Sequence, residues 1–110
     1  FTIRIMMNNL ISNAIEAFIK DTSKPSHWII VRADDFNELQ FKYEVEDNGF
    51  GMYERTRLKI FDKFFSTKGS EGTGLGLAVV NKIIKEHKGK IEVDSMPSIG
   101  TCFRILFLKR

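Results

Sequence analysis

The sequence predicts an α+β domain, a two-layer α/β sandwich with helices on one face of a mixed, largely antiparallel sheet. Two observations carry this. Apolar residues recur at helical spacing in two separate segments, one at the start of the chain and one past its middle. Segments of alternating or β-branched character come in two pairs, with no helical pattern between the members of a pair. Strands joined so directly pair as hairpins, and a sheet built from two hairpins offers both helices a common surface to cover.

In chain order, Ile3, Met6, Met7, Leu10, Ile11, Ala14, Ile15 and Phe18 place an amphipathic helix over Thr2 to about Lys20. Thr22 to Ser26 is a loop, since Pro25 cannot continue a helix. His27 to Ala33 is rich in aromatic and β-branched residues and reads as a strand. Asp34 to Glu38 reads as a turn, and Leu39 to Glu46 alternates through Leu39, Phe41, Tyr43 and Val45 as a second strand. From Asn48 to Thr73 the periodicity is weak apart from a short helix expected over Glu54 to Phe61. The polar, glycine-rich stretch Ser66 to Gly74 is expected to be a mobile loop. Leu75, Val79, Val80, Ile83 and Ile84 mark a second helix, ending near His87-Lys88-Gly89 with Gly89 as the stop. Lys90 to Ser95 and Thr101 to Leu108 read as strands, with Met96 to Gly100 as the turn between them.

The length of 110 residues fits a single domain, 1–110, large enough for a core and too short for two. Seventeen basic against fourteen acidic residues leave a net charge of +3, a mild excess spread over a solvated surface. No basic stripe interleaved with aromatics points to nucleic acid. Cys102 is the only cysteine, so no internal disulfide forms, and its alternating neighbours make it an inert strand residue. Neither a signal peptide nor an apolar run near 18 residues is legible, so no membrane contact is expected of this domain. The chain opens on helix-like sequence and stops after strand-like sequence, which leads us to expect a piece of a larger protein.

Chemistry concentrates in three places. Asp47-Asn48-Gly49-Phe50-Gly51-Met52 closes a strand with a carboxylate and follows it with two glycines one residue apart. The glycines permit a tight turn and close approach of a flat ligand, and the carboxylate is an acceptor suited to an exocyclic amine. Asn9 and Asn13 lie four apart, so one helix face carries both carboxamides one turn apart. Their oxygens are hard ligands of the kind Mg²⁺ takes in small number. Gly72-Thr73-Gly74-Leu75-Gly76 runs into the second helix, whose free N–H groups make an anion site. No strand precedes it as in a βαβ dinucleotide site, and it lacks the Lys-Ser/Thr ending of a P-loop.

Taken in order, Asn9-Leu-Ile-Ser-Asn13-Ala14, the DNGxGM stretch and Gly72-Thr-Gly-Leu-Gly76-Leu resemble the ATP-binding catalytic domain of sensor histidine kinases. That domain belongs to the wider superfamily of gyrase, chaperone and mismatch-repair ATPases. The resemblance runs from about Ile3 to about Leu108 and implies a Bergerat-type sandwich with a mobile ATP lid. It implies ATP and Mg²⁺ as cofactors, with Asn13 on the metal and Asn9 supporting the metal or the reacting phosphate. Asp47 would accept from the adenine amino group, directly and through a water shared with Thr101. Gly49 and Gly51 would let the base approach, with Met52 packed on its face. Ile60-Phe61-Asp62-Lys63-Phe64-Phe65 resembles the family's phenylalanine-rich lid motif, with Ile60 lining the adenine pocket, Phe65 against the nucleotide, and Lys68 a cation for the phosphates. Gly72, Thr73, Gly74, Leu75, Gly76 and Leu77 would cradle the phosphates and hinge the lid.

Two departures matter. Hydrolytic relatives carry a glutamate at the position of Asn9 as general base, and a neutral amide cannot take that proton. Many histidine kinases carry Lys and Tyr where this chain has Glu16 and Ala17, so Ala17 lines the cleft without a cation beside it. Asn-Ala-Ile-Glu-Ala resembles the branch that holds the nitrogen-regulation and sporulation kinases. Neither His27 nor His87 lies in a sequence like the family's acceptor helix, so the phosphoacceptor is expected on the protein's own dimerisation domain, outside this chain. A response regulator would stand downstream, the isolated domain would be monomeric, and the location would be cytoplasmic, with a parent that is free to be membrane-anchored. The rival readings are a nucleotide-sensing or anti-sigma-type binding module without turnover, and a hydrolytic ATPase of the same fold.

Overall fold

The computed structural model describes residues 2–20, 24–58 and 75–109. Helix α1 spans Thr2–Lys20. Strands β1 (Ile29–Asp35) and β2 (Gln40–Asp47) follow, then the single-turn helix α2 (Glu54–Arg57), helix α3 (Leu75–Glu86), and strands β3 (Lys90–Met96) and β4 (Gly100–Leu108). The four strands form one sheet in the order β1-β2-β4-β3, and every pairing in it is antiparallel. The two expected hairpins are present, joined through β2 and β4. The sheet, expected to be largely antiparallel, is antiparallel throughout among the described residues.

Alternation along the strands gives the sheet two unlike faces. One is covered by α1 and α3. Met6 and Leu10 of α1, Val80, Ile83 and Ile84 of α3, and Val45, Phe103 and Ile105 of the sheet form the buried cluster. Two helical residues expected at the core are not there: Ile15 and Val79 are more than two-fifths exposed. The apolar stripe on each helix is narrower than the run of apolar residues in sequence, because only one face can meet the sheet.

Three boundaries move for identifiable reasons. β1 starts at Ile29, two residues later than expected, because the Trp28 N–H donates to Asn48 Oδ1 (2.8 Å) instead of to a ladder partner. β1 also runs on through Asp34 and Asp35, which pair with Lys42 and Phe41. The turn shrinks to 36–39, where Asn37 Oδ1 accepts from the N–H groups of Leu39 (2.9 Å) and Gln40 (2.8 Å). At the end of α3 the left-handed residue is Lys88 (φ 56°), not Gly89. The Gly89 N–H reaches Ile84 O (2.8 Å) and the Lys88 N–H reaches Lys85 O (3.1 Å), the two bonds of a Schellman cap. Gly89 is needed for a different reason, since a Cβ there would stand 2.7 Å from the Phe107 ring. Of the short helix expected over Glu54 to Phe61, the described part ends at Arg57 with Leu58 as its cap. Residues 59–61 lie outside the described residues.

Candidate functional site

Strand β2 ends on Asp47, on the helix-covered face, paired in register with Ile29 on one side and Thr101 on the other. The side chain is buried, 7 % exposed. Its carboxylate accepts the Gly49 N–H (2.8 Å), and the backbone N–H of Thr101 favours its charged form from the paired strand. Burial pushes its pKa above the usual carboxylate range. These two backbone donors pull the other way, as does Lys24, while Glu46 adds to the rise. The result is a buried acceptor held by backbone donors.

The turn after Asp47 is fixed from three sides. A Cβ on Gly49 would lie 2.9 Å from Ala17 Cβ and 3.0 Å from Asp47 Oδ1, so α1 presses directly on the turn. Gly51 sits at φ 71°, and a side chain there would strike the Met96 carbonyl. Its close neighbour is therefore the β3–β4 turn, a constraint separate from any approach of a base. The Phe50 carbonyl accepts the Ser98 N–H (2.7 Å), and the Met52 N–H donates to Ser95 Oγ (2.8 Å). Met52 itself is half-buried against the core cluster.

Ala17 also sets the position of the asparagines. Asn13 and Asn9 lie one and two turns back along α1, about 6 and 12 Å along its axis, and both are half-buried. The structure thus brings Asp47, Gly49, Gly51, Met52, Thr101 and Ala17 together, with Asn13 and Asn9 trailing away on one helix face. Leu75 and Gly76 fall in the first turn of α3, and Leu77 packs on the core cluster. Ile60, Phe65, Lys68, Gly72, Thr73 and Gly74, and with them the lid, lie outside the described residues. His87 is a packing residue, its Nδ1 2.8 Å from Ile83 O and its ring edge-on to Phe107. His27 stacks on Phe18 with ring centroids 4.9 Å apart.

Ser95 and Lys24 at this end of the sheet escaped the sequence reading, and Asn48 was read only as part of the turn motif. Ser95 faces the helices on β3 in line with Ile91 and Val93, and that polar break in an apolar stripe was the signal that would have found it. Asn48 ties the turn to the entry of β1, accepting from the Trp28 N–H and donating to Ser26 O (3.1 Å). Lys24 Nζ donates to Gly49 O (2.9 Å) from 25 residues upstream, a contact with no local signature. Cys102 lies on the open face beside Glu44, with its thiol pKa pushed up by burial and by the neighbouring carboxylates, as suits an inert residue. No helix among the described residues is long and apolar enough to cross a membrane.

Several known proteins are similar to this chain in sequence or in fold. A probable C4-dicarboxylate sensor kinase of Halalkalibacterium halodurans is 40% identical over 108 residues, covering 96% of this chain and 20% of that protein. Sporulation kinase A of Bacillus subtilis is 40% identical over 102 residues, covering 93% of this chain and 16% of that protein. The chain therefore spans about a fifth or less of the length of these curated relatives. The catalytic domain of histidine kinase ThkA superposes with a TM-score of 0.79 at 33% identity, over 98% of this chain and 67% of that one. Residues 2–110 match the family described as histidine kinase-, DNA gyrase B-, and HSP90-like ATPase, and the chain belongs to that family.

Proposed function

We propose that this chain is the ATP-binding catalytic domain of a sensor histidine kinase, holding Mg·ATP and directing its γ-phosphate to a histidine on a separate dimerisation domain. The observation that carries the reading is Asp47, a buried carboxylate that accepts the backbone N–H of Gly49 and stands across the register from Thr101. A carboxylate so placed has lone pairs left for an amino group, and adenine presents one. Asn13 would hold Mg²⁺, with Asn9 beside it, since two carboxamide oxygens one turn apart suit a hard cation that keeps most of its waters. The bound metal would neutralise phosphate charge. Asn9 cannot act as general base toward water, so the site favours transfer over hydrolysis. The chain's contribution is positioning and charge complementarity, as in other phosphoryl transfers. In the cell the domain would work in the cytoplasm, with a response regulator downstream.

The test uses γ-labelled ATP. The chain alone should hydrolyse ATP only in trace, and should transfer label to the dimerisation domain of its own parent protein at a rate that depends on that domain's concentration. Asn13→Ala should abolish most of the Mg²⁺-dependent gain in ATP affinity while leaving the circular dichroism unchanged. Brisk multiple-turnover hydrolysis would favour the hydrolytic ATPase, and binding without any transfer would favour a sensing module.

A further inference from the structure

Ser95 Oγ makes three contacts at once. The Met52 N–H lies 2.8 Å away, the Gly100 carbonyl 3.1 Å, and the Thr101 hydroxyl 2.8 Å. A serine hydroxyl has one hydrogen to give and two lone pairs to receive. The Met52 N–H can only donate, so it takes one lone pair. The Gly100 carbonyl can only accept, so it takes the one hydrogen. All three contacts are hydrogen bonds together only if the Thr101 hydroxyl donates to Ser95.

We infer that Ser95 is a positioning residue that sets the hydrogen-bond polarity of Thr101, and through it the preference of the site for a 6-amino over a 6-oxo purine. This rests on the nucleotide reading above. Thr101 stands directly across the register from Asp47. With its hydrogen committed to Ser95, Thr101 turns only lone pairs outward, beside the lone pairs of Asp47. Such a rim accepts from an amino group, or from a water that donates, and repels a carbonyl oxygen. Without Ser95 the Thr101 hydroxyl is free to rotate and donate outward. One of the two acceptors then becomes a donor that satisfies a 6-oxo group, because a buried polar group discriminates by what is left unpaired.

Calorimetric titration of the chain with ATP and with ITP tests this. Wild type should prefer ATP. Ser95→Ala should narrow that preference about tenfold, the scale of one oriented hydrogen bond. Ser95→Thr, which keeps the hydroxyl, should restore it. In a Thr101→Val background, Ser95→Ala should produce no further narrowing, since the group it orients is gone. Ser95→Cys, similar in size with a weak donor, carries the same comparison if the alanine variant does not fold. Melting of the nucleotide-free variants separates lost stability from lost discrimination. If Ser95→Ala weakens ATP and ITP by the same factor, Ser95 is a structural bond only and the inference falls. If wild type binds no ATP, or Asp47→Asn leaves ATP affinity unchanged, the nucleotide reading falls and takes the inference with it.

Discussion

Two rows of residues run straight across the sheet, one on each face, and they treat a buried carboxylate in opposite ways. On the open face, Arg32, Glu44, Arg104 and Glu92 line up in register across all four strands. Glu44 is 5 % exposed, with Arg104 Nε at 2.8 Å, Lys42 Nζ at 3.5 Å and Arg32 Nη1 at 3.6 Å. Burial alone would raise its pKa. The Arg104 hydrogen bond and the charges of Lys42 and Arg104 overcome that and hold the carboxyl below its usual range. On the covered face the row is Ile29, Asp47, Thr101 and Ser95, and Asp47 is nearly as buried with its pKa pushed up. Three residues along one strand therefore separate a neutralised carboxylate from an under-compensated one. The first is a structural bond, and the second is a group whose electrostatics a donor-bearing ligand would complete.

The sharpest way to break this contrast is to neutralise each carboxylate in turn. Asp47→Asn should weaken ATP binding by about 10- to 100-fold, the loss of a charge-assisted bond to the base. Glu44→Gln should leave ATP affinity within about twofold, because its row never reaches the glycine turn, yet it should cost about 2 kcal/mol of stability in urea by removing the buried charge that Arg104, Lys42 and Arg32 face. Asp47→Asn should not lower the melting temperature of the nucleotide-free domain. Calorimetry and urea titration on both variants decide it, and a Glu44→Gln protein with the binding defect would erase the distinction between the rows.

Acidification sharpens the same comparison with opposite signs. Glu44 has a depressed folded pKa, so its stabilisation is present above the unfolded value and is lost as pH falls through the folded value. The stability gap between wild type and Glu44→Gln should therefore close on acidification. Asp47 has a raised folded pKa, so the folded state holds its proton longer than the unfolded chain, and stability falls as pH rises toward that folded value. Any advantage of Asp47→Asn should be present at neutral pH and vanish in acid. Urea titrations from about pH 3 to pH 7 span both carboxylates. As pH falls, wild type should lose ground against Glu44→Gln and gain it against Asp47→Asn. A wild type that loses ground against both would show that the two groups share one environment.

The sequence discloses these rows unequally, for physical reasons. Helical and alternating periods gave α1, α3 and the four strands, since burial of one face imposes them. Nothing local says that β2 and β4 are neighbours, so neither four-residue row was visible before the fold. Asp47 and its glycines were legible because backbone constraint and chemistry sit within six residues. Ser95 was half-legible, as a polar break in an apolar stripe. Lys24, and Arg32 and Arg104 beside Glu44, were not, because their partners lie on other elements. The shift of β1 came from one hydrogen bond and the left-handed Lys88 from a two-bond cap, both outside any period.

The smallest predicted effect concerns the residue between the aspartate and the first glycine. Asn48 belongs to the motif that first marks the site, yet its side chain turns away from Asp47 to the entry of β1. It accepts from the Trp28 N–H and donates to Ser26 O, in exposed positions where water replaces either partner. Asn48→Ala should therefore cost only about 0.5–1 kcal/mol and leave ATP affinity near that of wild type. Hydrogen exchange should quicken at the Trp28 amide, whose acceptor is lost, and stay unchanged at Gly49, whose acceptor is Asp47. If Asn48→Ala instead weakens ATP as much as Asp47→Asn, the turn is read as a whole by the ligand, and the assignment of recognition to the Asp47 row does not hold.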